Sequence, residues 1–289
     1  AWVRGAAASD GMVGWAARVD ALLPPDVETS GGLPVVAALD DADGEDRAHH
    51  STVVGCDGVS STQTEEAVLP YRTDDNSLVV PVDLQGPEGA VLSTWMTYDT
   101  GATLTTVDRA TLSSLGVAVP RDNPVIELRT ASGTRSARLA LIDTIWVGGF
   151  EVPGVTVSIC EECTSQTSVG LLGLNVTGRF QVAVDHGSEA LVLQPRLDRP
   201  DQVSDISPWV EVTGRVKERS SGELIVDVDL ENLSRRPVEQ AIVHVRCGDT
   251  WPVEIYDIPA HGTGSARVQL DGKPSCDGRY ELELTRAWW

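Results

Sequence analysis

From Ser77 onward the chain runs in short apolar or alternating stretches: LVVPVDL, AVLSTWMTY, ATLTTV, VIELRTA, ARLALIDTIWV, VTVSI, FQVAVD and ALVLQP. Stretches of this length, recurring about every ten residues with Gly and Pro between them, predict the strands of a β-rich barrel or sandwich. DRATLSSLG, after the third stretch, reads as a short helix ending at a glycine. Residues 198–208 (DRPDQVSDISP) hold two prolines and three acids with little that is apolar, and read as a linker. Alternation then resumes over residues 209–289 as WVEVTGRV, ELIVDVDLEN, QAIVHVRC, VEIYDI, SARVQL and YELELTRAWW.

Residues 1–76 differ in texture. They carry 14 acids against 4 bases, small-residue patches (GAAASDG, TSGG), a Pro-Pro pair and the run DDADGEDRAHH. WAARVDALL is a helix candidate there, and LPVVAAL and STVVG are apolar runs. The stretch is expected to be a partly structured acidic extension. At 289 residues the whole length suits two domains of about 150 residues with an extra segment. Hydrophobic residues at 41% and charged residues at 22% are those of a folded chain. The formal net charge of −21 argues against nucleic-acid binding, because phosphates would be repelled. No apolar run approaches the roughly 18 residues of a membrane-spanning segment. The opening AWVRGAAASDGMVGW lacks the charged start and apolar centre of an intact signal peptide.

The sharpest chemical signal is Asp99-Thr100-Gly101-Ala102, an aspartate that ends an apolar stretch and opens a turn. Gly101 lets backbone pass close beneath the carboxylate, and Thr100 can brace the turn through its hydroxyl. Three further features follow in order. LVVPVDL and AVLSTWMTY, joined by QGPEG, form a hairpin-like pair before the turn. Thr130-Ala131-Ser132-Gly133-Thr134 lies between two strands about thirty residues on. Val169-Gly-Leu-Leu-Gly-Leu174 then leads into the strand pair GRFQVAVDHGSEALVLQP.

This order resembles the retropepsin-like aspartic proteases, in particular single-domain bacterial members, over residues 77–197. The resemblance implies an all-β architecture: an acid-protease barrel whose active site forms only in a homodimer, each copy contributing one catalytic Asp99. Thr100, Gly101 and Ala102 would support the catalytic loop. Ser132, Gly133 and Thr134 would sit on a flap over an extended peptide or protein substrate. No metal and no cofactor is implied. A second aspartate within one chain would need another Asp-Thr/Ser-Gly after an apolar strand. Asp57-Gly58, Asp143-Thr144-Ile145 and Asp185-His186-Gly187 lack that pattern. Viral relatives place an Asp after D-T-G-A and an Arg after the second apolar-apolar-Gly, paired near the dimer interface. Here those places hold Thr103 and Leu174, so both charges are absent together, while Asn175 still matches. The dimer is therefore expected to be weak or supported by other parts of the chain. With Ala102 where a serine could donate to the carboxylate, activity is expected to extend toward mildly acidic or near-neutral pH.

Residues 209–289 have the size and rhythm of an immunoglobulin-like sandwich, and resemble the accessory modules of bacterial envelope proteins. The competing reading is a catalytically silent barrel whose C-terminal sandwich mediates protein interaction. Another possibility is that residues 1–76 cover the cleft. Cys160-Glu-Glu-Cys163 lacks the second pair of a zinc site, so a local disulfide is expected. Cys247 and Cys276 are either a disulfide or two buried thiols. His49-His50 beside the acidic run could attract a cation, but no calcium-loop spacing is present. Asn175-Val-Thr and Asn232-Leu-Ser match glycosylation acceptors. Possible disulfides and the accessory module point to a secreted, periplasmic or cell-envelope location.

Overall fold

The computed structural model describes residues 3–4, 66–130, 133–196, 198–270 and 280–289. Ser132, Cys56, Cys276 and the His49-His50 run lie outside the described residues. The first half contains β1 (Val3–Arg4), β2 (Ala67–Pro70), β3 (Arg72–Asp74), β4 (Ser77–Gln85), β5 (Val91–Tyr98), β6 (Thr105–Val107) and α1 (Arg109–Ser114). Then come β7 (Val125–Thr130), β8 (Gly133–Val147), β9 (Phe150–Ile159), β10 (Gly170–Leu172), α2 (Leu174–Thr177), β11 (Phe180–Asp185) and β12 (Ala190–Pro195). The C-terminal part comprises α3 (Val203–Ile206), a 3-10 turn at Ser207–Trp209, β13 (Val210–Glu218), β14 (Leu224–Asn232), β15 (Val238–Cys247), β16 (Asp249–Ile258), β17 (Thr263–Leu270) and β18 (Glu281–Trp288).

Eight strands form one sheet in the order β3-β4-β5-β10-β6-β9-β8-β7, and an added β4–β8 pairing closes six of them into a barrel. Most neighbours are antiparallel. β10 runs parallel to β5 and β9 parallel to β6, so non-consecutive strands lie side by side in the middle of the sheet. Val80, Leu84, Met96, Val107, Leu112 and Ile142 fill the interior and are fully buried. The expected helix is α1, capped at its start by Asp108, whose Oδ1 accepts from the Thr111 amide at 2.6 Å. The predicted terminal pair, β11 and β12, adds β2 as a third strand. β2 and β3 thus bring residues before Ser77 into this half of the fold.

β8 explains why ARLALIDTIWV reads as a continuous apolar run. Ala140 and Ile142 face the barrel core, while Leu139 and Leu141 face outward into a second core. That second core lies in a two-sheet sandwich with strand orders β1-β13-β14-β17 and β16-β15-β18. The chain changes sheet from β14 to β15, from β16 to β17 and again into β18. Val226, Val228 and Leu230 of one sheet pack against Ala241, Val243 and Val245 of the other. Alternating Val, Ile and Leu on β14 and β15 is what buries one face of each sheet and leaves the other polar.

Barrel and sandwich belong to one compact unit, and residues 198–208 do not behave as a free linker. Gln202, Asp205 and Ile206 are buried there. Gln202 donates from Nε2 to Pro153 O at 3.0 Å and from its amide to Ala287 O at 2.7 Å. Trp289 is 5% exposed, and its indole Nε1 donates to Gly154 O at 2.7 Å. Gly154 has φ +64°, and a Cβ on it would lie 2.2 Å from the Trp289 ring, so both its conformation and this contact demand glycine. Arg235 also bridges the halves, with Nη2 2.8 Å from Leu141 O and 2.6 Å from Asp143 Oδ1.

Candidate active site

Asp99 follows the last residue of β5 and is half-buried. Its position is set by the parallel partner strand: the Asp99 amide donates to Leu172 O at 3.2 Å. Its carboxylate is held by its own turn, Oδ1 accepting from the Gly101 amide at 2.8 Å, and the Ala102 amide donates to Asp99 O at 3.4 Å. A Cβ on Gly101 would come within 3.2 Å of Oδ1, so the smallest residue keeps the carboxylate uncrowded. Thr100 and Gly101 are exposed beside it.

The loop after Asp99 is fastened to the second apolar-apolar-Gly element. Leu174 N donates to Ala102 O at 2.8 Å and Asn175 N to Thr103 O at 3.1 Å. Gly173 N donates to Thr105 Oγ1 at 3.1 Å. A Cβ on Gly173 would sit 2.5 Å from the Leu104 carbonyl carbon. This close crossing is the physical reason for a glycine in Val169-Gly-Leu-Leu-Gly-Leu174.

Behind the crossing lies a buried polar network that sequence reasoning did not identify. Asn175 Oδ1 accepts from both the amide and the hydroxyl of Thr105, at 2.8 and 2.9 Å. Its Nδ2 donates to Thr156 O at 2.9 Å and to Asp205 Oδ1 at 2.8 Å. Asp205 also accepts from the Thr156 amide at 2.9 Å and pairs with Arg179 Nη2 at 2.8 Å. Arg179 Nε returns to Asn175 O at 2.9 Å. Thr103 and Leu174 carry no charge, and the ion pair here is the one between Arg179, just after α2, and Asp205. The composition of 198–208 hid Asp205; the one available signal was the apolar spacing of Val203, Ile206 and Trp209 around it.

Burial pushes the Asp205 carboxyl from 3.8 up to about 6, against the pull of Arg179 and the hydrogen bonds from Asn175 and Thr156. Burial likewise lowers the Arg179 guanidinium, with Asp205 opposing. A carboxyl raised in the folded state holds its proton more tightly there than in the unfolded chain. Its contribution to stability therefore falls as pH rises from about 4 to about 6 and is flat above, by about 3 kcal/mol at most. Urea midpoints measured across that window should show the decline in wild type, and Asp205→Asn should remove it.

β7 and β8 form the expected hairpin, closed by the Thr130–Gly133 pair. Gly133 has φ +122°, and Gly133 and Thr134 are exposed. At the hairpin's base Leu139 N donates to Pro124 O at 2.9 Å, and Asn123 Nδ2 to Leu139 O at 2.9 Å. Cys160 and Cys163 are joined in a disulfide beside a short 3-10 turn. Cys247 is also disulfide-bonded. Among the described residues, no three His, Cys, Asp or Glu side chains converge as metal ligands, and no helix is long and apolar enough to cross a membrane.

Residues 80–176, which span the Asp99 turn, the hairpin and the crossing glycines, match the family model for aspartyl proteases. Among solved structures, the chain is similar to a retropepsin-like aspartic protease from Rickettsia conorii at 17% identity and a TM-score of 0.35. That likeness covers 45% of this chain and 91% of the other. A second likeness, to an aspartic proteinase from Irpex lacteus, has 12% identity and a TM-score of 0.33, over 72% of this chain and 64% of that one. At these values neither likeness bears on chemistry. No curated protein matches the chain.

Proposed function

We propose that the chain is an aspartic endopeptidase, hydrolysing peptide bonds with a water activated by two Asp99 carboxylates, one from each copy of a homodimer. The observation that carries this is the placement of Asp99. It is a half-exposed carboxylate fixed by a D-T-G turn at the end of a barrel strand, within the segment that matches the aspartyl protease family. One such carboxylate per barrel cannot form a dyad alone, and a two-fold axis supplies the second.

Two carboxylates about 3 Å apart share one proton, because ionising both is costly. The ionised member takes a proton from the bridging water, which attacks the scissile carbonyl. The protonated member donates to the carbonyl oxygen as it gains charge. Apparent pKa values belong to the pair. An extended peptide would add main-chain hydrogen bonds between the loop at Gly101 and the hairpin at Ser132-Gly133-Thr134. The Cys160–Cys163 disulfide and the disulfide-bonded Cys247 fit an oxidising compartment, secreted or in the cell envelope. The sandwich then acts as an immunoglobulin-like accessory module.

The deciding experiment is cleavage of an unfolded protein substrate by wild type and by Asp99→Asn. A second expectation concerns Ala102→Ser. A hydroxyl donating to the ionised carboxylate favours that form, so the acid limb of the pH–rate profile should move down by about one pH unit. An unmoved limb would show that residue 102 does not reach the dyad.

A further inference from the structure

We infer that Asp205 is a positioning residue for the catalytic loop, so that the segment joining barrel and sandwich sets the geometry of the reaction. The inference rests on the reading of Asp99 as catalytic. Asp205 does not contact Asp99. It acts through Asn175, whose side-chain amide could sit in either of two orientations. In the observed one, Nδ2 faces two acceptors, Thr156 O and Asp205 Oδ1, while Oδ1 faces two donors, the amide and hydroxyl of Thr105. Turned over, three of the four contacts become mismatches in a buried site, since only the Thr105 hydroxyl can accept as well as donate. Once Asp205 is ionised, the charged acceptor makes the observed orientation the strongly favoured one.

Asp205 is itself held on every side. Arg179 Nη2 and the Thr156 amide donate to its carboxylate, and Thr156 Oγ1 donates to its backbone carbonyl at 2.6 Å. Trp209 Nε1 donates to Thr156 Oγ1 at 2.8 Å. A fully buried carboxylate whose ion-pair partner, Arg179, follows α2 is costly to place. The molecule places it against Asn175, which holds the end of the loop that follows Asp99. From Asn175 the order passes to Thr103 O, through the Asn175 amide, and to Thr105, through Oδ1. Ala102 O is held in the same way by Leu174 N. Losing the Asn175 orientation therefore removes that side chain's hold on Thr105, the downstream end of the 99–105 loop. It leaves that end on the backbone bonds to Leu174 and Asn175, while the upstream anchor, Asp99 N to Leu172 O, stays intact. A displacement of about 1 Å at a reacting group costs on the order of a hundredfold in rate.

The test is a cycle of Asp205→Asn, Asn175→Asp and the double variant that exchanges the two residues. In Asp205→Asn the acceptor for Nδ2 is weakened and Arg179 is left unpaired. The expected result is a fall in kcat of about ten- to hundredfold with KM changed by less than about threefold. Amide exchange should quicken at Leu174, Asn175 and Thr105 while Ile142 on β8 stays protected. The exchange variant restores a donor facing an acceptor between residues 205 and 175 and keeps one carboxylate in the network, at the expense of the two Thr156 contacts. It should recover a small part of both losses. Recovery in the double variant supports the proposal even where a single variant folds poorly.

Normal kcat with unchanged exchange in Asp205→Asn would overturn it. So would exchange that quickens equally throughout the barrel, or a double variant no better than the singles. If wild type cleaves nothing while the local exchange effect is present and reversed in the double variant, Asp205 does order the loop, and it is the protease reading that fails.

Discussion

Asp99→Asn should abolish cleavage, lowering kcat by a factor of about 10³ or more. Asparagine matches aspartate in shape, and its Oδ1 can still accept from the Gly101 amide as Asp99 Oδ1 does at 2.8 Å. The fold should therefore persist, with stability changed by no more than about 0.5 kcal/mol. What is lost is the proton chemistry: an amide neither takes a proton from water nor holds the one the pair shares. The same variant tests the dimer. When wild-type and Asp99→Asn copies exchange freely, activity should fall with the square of the wild-type fraction, because only pairs of two wild-type copies retain both carboxylates. A linear fall would mean that one chain suffices, and retained cleavage by the pure variant would place the chemistry elsewhere.

Trp289→Ala should be the most damaging substitution away from the site, at about 3–5 kcal/mol. The ring fills the space left by Gly154 and donates to its carbonyl, and it also borders the sandwich core. That loss is a large share of the roughly 5–15 kcal/mol by which domains hold together. Its neighbour provides the contrast. Trp288 is equally buried, yet its Nε1 has no hydrogen-bond partner among the described residues. Trp288→Phe removes an unsatisfied donor and should cost little, whereas Trp289→Phe strands Gly154 O and should cost about 1–3 kcal/mol. Chemical denaturation of the set would separate them. Wild type should unfold in one transition, since Leu104, Leu139 and Leu141 of the barrel lie in the sandwich's core. Two transitions in wild type would contradict the shared core.

What could be read from the residues was whatever is local. Period-two alternation marked β4, β14 and β15, and the D-T-G turn and the glycines of Val169-Gly-Leu-Leu-Gly-Leu174 carry their chemistry within a few positions. β2 and β3 escaped because strands of four and three residues are too short to show a period. The 198–208 segment escaped for a different reason. Composition counts Asp, Gln and Pro as marks of exposed loop, but Asp205 is 1% and Gln202 4% exposed. Their partners, Arg179, Thr156 and Pro153, lie 26 to 49 residues away. Burial satisfied by distant partners leaves no periodic trace. The result is that a stretch resembling a tether is bonded to both the barrel and the last strand.

The contact between Trp289 and Gly154 spans 135 residues. A ribosome adding about 5–20 residues each second adds Trp289 about 7 to 27 seconds after it adds Gly154. Through that interval the nascent barrel lacks the side chain that seals it, and Asn175 lacks the carboxylate that orients it until Asp205 appears. The barrel is thus born incomplete, and it is closed only once synthesis has passed β18.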